Sequence, residues 1–225
     1  MDSALKFSSL SDQVYRYLRR QMYQGDLLPG STINIGEIAK ELGISKTPLR
    51  DALIHLEVEG FVTILPRRGV QVNQLQMMDV KNAYDTAGLV ESFLVKECID
   101  KINSTHIKRL EELNSTMLED IKSSQFTRLF KMNLEFHNVY LDVADNDLLK
   151  KFIIPIKHRL YDFPRQNFIP EWELRNIKEH QQFIDALKKG DGDGAAKLLK
   201  DIHWSFEYQK EFIYQFYNFT EDDMV

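Results

Sequence analysis

Residues 43–60 read GISKTPLRDALIHLEVEG, and the punctuation of that stretch decides the N-terminal fold. Ser45 is a natural N-cap, and Pro48 falls in the first helical turn, where its missing N–H costs nothing. Leu49, Leu53 and Leu56 recur at helical spacing with Ala52 beside them, and Gly60 closes the segment. Lys46, Thr47 and Arg50 gather in the first turn and a half of this helix.

Upstream, Asn34 to Leu42 reads as a second short helix. Asn34 caps it, Glu37 stands three residues on as in a capping box, and Gly43 ends it. Ser8 to Gln24 reads as a first helix, with Val14, Tyr17, Leu18 and Met22 in one stripe, broken by Gly25 and Pro29-Gly30. Downstream, Phe61–Leu65 and Val70–Asn73 are β-prone and are joined by Pro66-Arg67-Arg68-Gly69, a hairpin with two arginines at its tip. Helix, helix, capped basic helix and basic hairpin predict a winged helix-turn-helix over residues 1–75. In such a motif the start of the third helix enters the major groove of DNA. Arg50 suits a bidentate grip on guanine, Lys46 and the helix N-terminus suit phosphate, and Arg67 and Arg68 suit the backbone or a minor groove.

The charge distribution permits this reading. The chain of 225 residues carries a net charge of −5, but residues 1–75 hold nine Lys and Arg against eight Asp and Glu. The acidity therefore belongs to residues 76–225, which keep the protein soluble while the first third presents a basic face. The length suits two domains. The single cysteine, Cys98, rules out an intramolecular disulfide framework and suits a reducing, cytoplasmic compartment. A secretory leader and a membrane-spanning apolar run are both missing, so no membrane partner is expected.

Residues 76–225 read as an all-helical bundle, so the fold class is mainly α. Helices are predicted at 77–102, 105–123, 125–144, 146–162, 171–189 and 193–219, with Pro155 expected to kink or split the fourth. His137, His180 and His203 fall in three different helices, and Asn133 shares the face of His137 one turn earlier. On spacing alone these groups either converge on a divalent metal or are hydrogen-bonded residues of the ordinary kind, and the spacing does not choose. Glu135 and Asp201 lie two residues from a histidine and so point about 200° away from it.

Two resemblances sharpen the expectation. Residues 8–73, with GDLLPG at 25–30, GISKTPLRDAL at 43–53 and EGFVTILPRRGVQV at 59–72, resemble the DNA-binding domain of the GntR family of bacterial regulators. The resemblance implies DNA contacts at Ser45, Lys46, Thr47, Arg50, Arg67, Arg68 and Gly69. Lys46 stands where arginine is usual, and a lysine lacks arginine's fork; Asp51 stands where glutamate is usual. Residues 77–219, with NLEFH and ADN at 133–146, KEH at 178–180 and DIH at 201–203, are similar to the FCD effector domain of the FadR subfamily. That resemblance implies a divalent ion, Zn²⁺, Ni²⁺ or Mn²⁺, held by His137, His180 and His203 and met by a carboxylate-bearing effector. Asn133 stands where the family has aspartate, a neutral oxygen in place of an anion. Ala87 stands where an arginine is usual, and Arg159, with Tyr161 near it, is the candidate replacement cation for an acidic effector.

The expected function is a ligand-responsive transcription regulator, not an enzyme, that binds a double-stranded inverted-repeat operator as a homodimer and senses a small organic acid. Two alternatives stand beside it. One is a metal-dependent hydrolase with a DNA-binding appendage, against which no general base is apparent near the histidines. The other is a metal-free acyl sensor, suggested by the aromatic run HWSFEYQKEFIYQFYNF at 203–219.

Overall fold

The computed structural model describes residues 8–162 and 168–224, the side chains of Phe126, Thr127, Tyr161, Asp162, Glu221 and Met224 excepted. Two compact units emerge: the first runs up to Gln76 and includes the segment that begins at His158, and the second holds the remainder from Met77.

In the first unit α1 spans Leu10–Gln24, capped by Ser9, whose hydroxyl accepts from Asp12 N while Asp12 Oδ2 accepts from Ser9 N, both at 3.0 Å. Helix α2 (Ile35–Glu41) and α3 (Lys46–Val58) form the tight pair. Asn34 Oδ1 accepts from Gly36 N and Glu37 N at the head of α2, but Glu37 does not return a bond, so the predicted capping box is half made. Ser45 occupies the N-cap position of α3 without a side-chain cap bond. The reason is Pro48: the N3 amide that a capping hydroxyl would take does not exist in proline. Gly60, at φ 80°, stops α3, and Phe61 N returns to Leu56 O at 2.8 Å.

The hairpin is β2 (Val62–Leu65) and β3 (Gly69–Val72), in antiparallel register with Val62 opposite Val72 and Leu65 opposite Gly69. A two-residue strand not expected from the sequence, β1 (Thr32–Ile33), adds to the other side of β3 and completes a three-stranded sheet. Two residues are too short a run to show alternation, so only the partner strand reveals it. Leu18, Met22, Ile33, Leu49, Leu53, Leu56, Phe61 and Val70 are buried together with Ala52. Removing one such leucine typically costs about 2–5 kcal/mol.

The second unit is helical. Its elements are α4 (Met77–Cys98), α5 (Ser104–Lys122), α6 (Phe126–Leu141), α7 (Asp147–Asp162, shared with the first unit), α8 (Pro170–Lys188), α9 (Gly192–Leu198) and α10 (Phe206–Tyr217). Helix α5 packs against α6 and α8, and α4 against α6 and α9. Helix α7 is not split at Pro155; burial of Ile153 and Lys157 on either side holds one continuous helix despite the lost amide donor. The predicted last helix, by contrast, is interrupted. Residues Leu199–His203 form a π turn, closed by Trp204 N to Leu199 O at 2.8 Å, before Ser205 caps α10. The extra residue in a π turn rotates the downstream chain relative to its course in an α-helix. The aromatic run after it is largely core: Phe206, Ile213 and Phe216 are buried, and Trp172 of α8 stacks on Phe212 at 5.8 Å.

Candidate functional site

The helix-turn-helix presents its chemistry outward. With Leu49, Leu53 and Leu56 buried, the remaining face of α3 carries Lys46, Thr47 and Arg50, all exposed, with Ser45 exposed just ahead of them. Arg67, in the left-handed region at φ 62°, and Arg68, whose N–H donates to Leu65 O at 3.0 Å, form the exposed tip of the wing, with Gly69 at φ 101° beginning β3. Among the described residues, Lys46, Arg50, Arg67 and Arg68 enter no ion pair. Four cations without internal counter-charges, beside a helix N-terminus whose cap hydroxyl is not engaged with the backbone, make a surface suited to phosphate.

In the second unit the three histidines meet. The ring nitrogens of His137 (α6), His180 (α8) and His203 (π turn) lie within 4.8 Å of one another. His137 is completely buried and the other two nearly so. Each of two rings is oriented by a carboxylate. His137 Nδ1 stands 2.8 Å from Glu91 Oε2, and His203 Nδ1 stands 3.0 Å from Glu179 Oε2. An ionised carboxylate only accepts, so both Nδ1 atoms carry a proton and both Nε2 atoms are turned inward, toward each other. Those two Nε2 atoms are 3.2 Å apart. Burial, assisted by Lys157 and opposed by Glu91, lowers the pKa of His137 to about 4, so that ring is neutral at pH 7. The lone pair of the neutral His137 therefore needs a partner at this distance, either an N–H on His203 or a cation held between the two rings. Two nitrogens each about 2.1 Å from one ion, at right or tetrahedral angles, lie roughly 3.0–3.4 Å apart. The spacing therefore fits a shared metal.

His180 adds a second indication. It stacks on Phe136 at 4.0 Å, and neither of its ring nitrogens has a hydrogen-bond partner. Burial holds its pKa well below the ordinary value, and the neighbouring His203 and His137 act in the same direction. A buried polar atom left unpaired costs about 1–3 kcal/mol, which a metal bond would offset. Asn133 stands one turn before His137 on α6 with its amide oxygen sealed from solvent. Glu135 pairs instead with Arg109, at 2.9 Å, and Asp201 is exposed.

The outer groups were not legible as site residues in the sequence. Glu91 of α4 is wholly buried and accepts from Lys157 Nζ (2.7 Å), Tyr140 OH (2.5 Å) and Trp204 Nε1 (2.7 Å) as well as from His137. Burial opposes its charge, but His137 and Lys157 outweigh that and hold the carboxyl well below the usual range. Glu179 is held by Gln209 Nε2 at 3.0 Å and by Arg175 at 3.3 Å, and Gln209 in turn by Trp172 Nε1 at 3.0 Å. The signals were present in YDTAGLVE and KEH, but only the π turn brings Glu179 and His203 face to face.

Arg159 lies in the last turn of α7. It belongs to the first unit, its guanidinium lying 3.2 Å from where a Cβ on Gly60 would stand. Lys157, two residues earlier and about 200° round the helix, is the α7 cation that joins the site. Tyr161, expected from the sequence to stand with Arg159, has a side chain outside the described residues.

A small winged helix with a bare basic face, followed by a helical domain with a buried histidine cluster, defines a two-domain DNA-binding regulator. Residues 10–72 match the model of bacterial regulatory proteins of the gntR family, and residues 82–203 match the FCD domain. The chain belongs to the GntR family and carries an FCD effector domain. It is 26% identical over 197 residues to the HTH-type transcriptional repressor RspR of Escherichia coli strain K12, covering 84% of each chain. It is 25% identical over 201 residues to the HTH-type transcriptional regulator YdhC of Bacillus subtilis strain 168, covering 88% of this chain and 90% of that one. The fold is also that of McbR/YncC of E. coli, with a TM-score of 0.75 at 20% identity over 93% of this chain and 99% of the other. The chain is therefore a DNA-binding transcription regulator, and its relatives are regulators rather than enzymes. Among the described residues no helix is long and apolar enough to cross a membrane.

Proposed function

We propose that the chain acts as a homodimer on an inverted-repeat operator and that a divalent ion in the FCD domain lets it sense a small organic acid. One winged helix reads too few base pairs for genomic specificity, so two heads related by a two-fold axis are required. Arg50 reads a base, Lys46 and Ser45 meet phosphate with Thr47 beside them, and Arg67, Arg68 and Gly69 bring the wing to the backbone. What supports this is the exposed, unpaired set of cations around the head of α3.

The observation that carries the sensor reading is the pair of Nε2 atoms 3.2 Å apart, with His180 unpaired beside them. His137, His180 and His203 would hold the ion, and the buried amide oxygen of Asn133 would stand as a fourth donor. When bound, the ion supplies a Lewis-acidic position that an effector carboxylate can occupy. Glu91 and Glu179 keep the two Nδ1 protons in place, and Lys157 balances the charge of Glu91. The site's own carboxylates are committed to these bonds, which leaves an anionic effector to balance the ion. A differential affinity of about 1–3 kcal/mol between two arrangements of the protein gives 5–150-fold regulation.

Calorimetric titration of metal-stripped full-length protein with Zn²⁺, Ni²⁺ and Mn²⁺, with and without di- and tricarboxylates, tests the reading. Metal binding that strengthens when the carboxylate is present is expected, and loss of that binding in His180→Ala with operator affinity retained. A wild type that takes up none of the three metals under either condition overturns the metal-assisted sensor.

A further inference from the structure

Three elements of the second unit meet at one side chain. Helix α8 bears Trp172, Glu179 and His180, the π turn bears His203, and α10 bears Gln209. Gln209 is 1% exposed. Its Nε2 lies 3.0 Å from Glu179 Oε1, 3.2 Å from Glu179 Oε2 and 3.1 Å from Ile202 O. Its Oε1 lies 3.0 Å from Trp172 Nε1. The neighbours settle which end of the amide is which. An indole N–H only donates and an ionised carboxylate only accepts, so the oxygen faces Trp172 and the nitrogen faces Glu179. The amide nitrogen and oxygen are then both engaged.

These bonds reach His203 by two routes. Glu179 Oε2 accepts from His203 Nδ1 at 3.0 Å, so whatever fixes the carboxylate fixes the ring. Ile202 immediately precedes His203, where the chain passes from the π turn toward α10. Its carbonyl accepts from Ser205 N at 3.3 Å and from Gln209 Nε2. One amide thus grips both the partner of the ring and the peptide that carries the ring. Arg175 also holds Glu179, at 3.3 Å, but its side chain is 31% exposed, and water competes with such a contact. The buried amide has no such competitor. His137 is oriented through Glu91, a separate carboxylate.

We propose that Gln209 is a positioning residue, which sets the ring of His203 for the ion by holding Glu179 and Ile202 O together, with Trp172 fixing the sense of the amide. This rests on the reading that the three histidines take a divalent metal. An outer partner of a ligating histidine is worth about 10–100-fold in metal affinity, and Gln209 acts on that partner.

The test uses metal-stripped full-length protein. Calorimetric titration gives the Zn²⁺ affinity. Nuclear magnetic resonance of ¹⁵N-histidine-labelled, metal-free protein follows the Nδ1–H of His203 and of His137, each assigned by its loss in the alanine variant. Gln209→Met keeps the length of the side chain and removes its hydrogen bonds. It should lower Zn²⁺ affinity about 10-fold or more and open the His203 Nδ1–H to rapid solvent exchange, while that of His137 stays protected. Trp172→Phe keeps a ring against Phe212 and removes only the N–H. It should act severalfold in the same direction, and it carries the test if Gln209→Met does not fold. Exposure of both ring protons together signals general loosening and overturns the proposal. An unmoved His203 signal, or an unchanged affinity in both variants, overturns it too. A wild type that binds no Zn²⁺ overturns the metal reading and this role with it.

Discussion

Replacing Glu91 by glutamine tests the buried centre where its charge matters most. The carboxylate takes four donors: Lys157 Nζ on Oε1, and His137 Nδ1, Tyr140 OH and Trp204 Nε1 on Oε2. Glutamine keeps the shape but offers one oxygen in place of two and no charge, so either the ammonium or the trio loses its acceptor. Lys157 is almost fully buried, and breaking a buried pair from one side typically costs about 3–5 kcal/mol. Neutralising an ordinary lysine at pH 7 costs about 5 kcal/mol, which sets a ceiling of the same size. A loss of about 3–5 kcal/mol is therefore expected by urea denaturation of the metal-free protein. Glu91→Gln with Lys157→Met removes the stranded charge and should recover most of that stability. Metal affinity should behave differently, because His137 still lacks the partner that fixes its Nδ1–H. It should stay about 10–100-fold below wild type in both variants. If the double variant regains metal affinity along with stability, Glu91 does not orient His137. If Glu91→Gln costs less than about 1 kcal/mol, the buried charge pair is not what holds these helices.

Single residues carry further expectations. Arg50→Ala should cost about 1–3 kcal/mol in operator binding and relax preference at one base position, whereas Lys46→Ala should weaken binding to all sequences and make its salt dependence shallower; gel-shift titrations at several salt concentrations separate the two, and full affinity in both variants would remove α3 as the recognition helix. Asn133→Asp places an anion next to the histidines and should tighten metal in the absence of a carboxylate while reducing the coupling between the two, measured by paired calorimetric titrations; an unchanged metal affinity would place Asn133 outside the coordination. Burial pushes the Cys98 thiol up to about 11, so almost no thiolate exists at pH 8 in the native state; alkylation should track global unfolding in urea, and rapid labelling of the native protein would contradict the buried position.

Much of the head was readable from one stretch of sequence. The leucines of α3, the glycine that stops it and the arginine-tipped hairpin are local features, and local propensity decides them. Even there the tertiary structure made two changes that neighbouring residues explain. Pro48 deprives Ser45 of its usual capping partner, and β3 recruits Thr32–Ile33 as a strand too short to announce itself. In the helical domain, periodicity located the helices, and the family resemblance pointed to the histidines. Only the fold made them a cluster. Period-3.6 reasoning placed residues 193–219 in one helix, but the π turn at Leu199–His203 shifts the phase by one residue and turns His203 toward Glu179 and His137. Glu91, Lys157, Tyr140 and Trp204 lie on separate elements, and no spacing within one helix relates them. A buried charge is tolerated only where distant partners converge on it. That convergence is a property of packing, and it is what brings Lys157 of α7 to Glu91 beside the histidines.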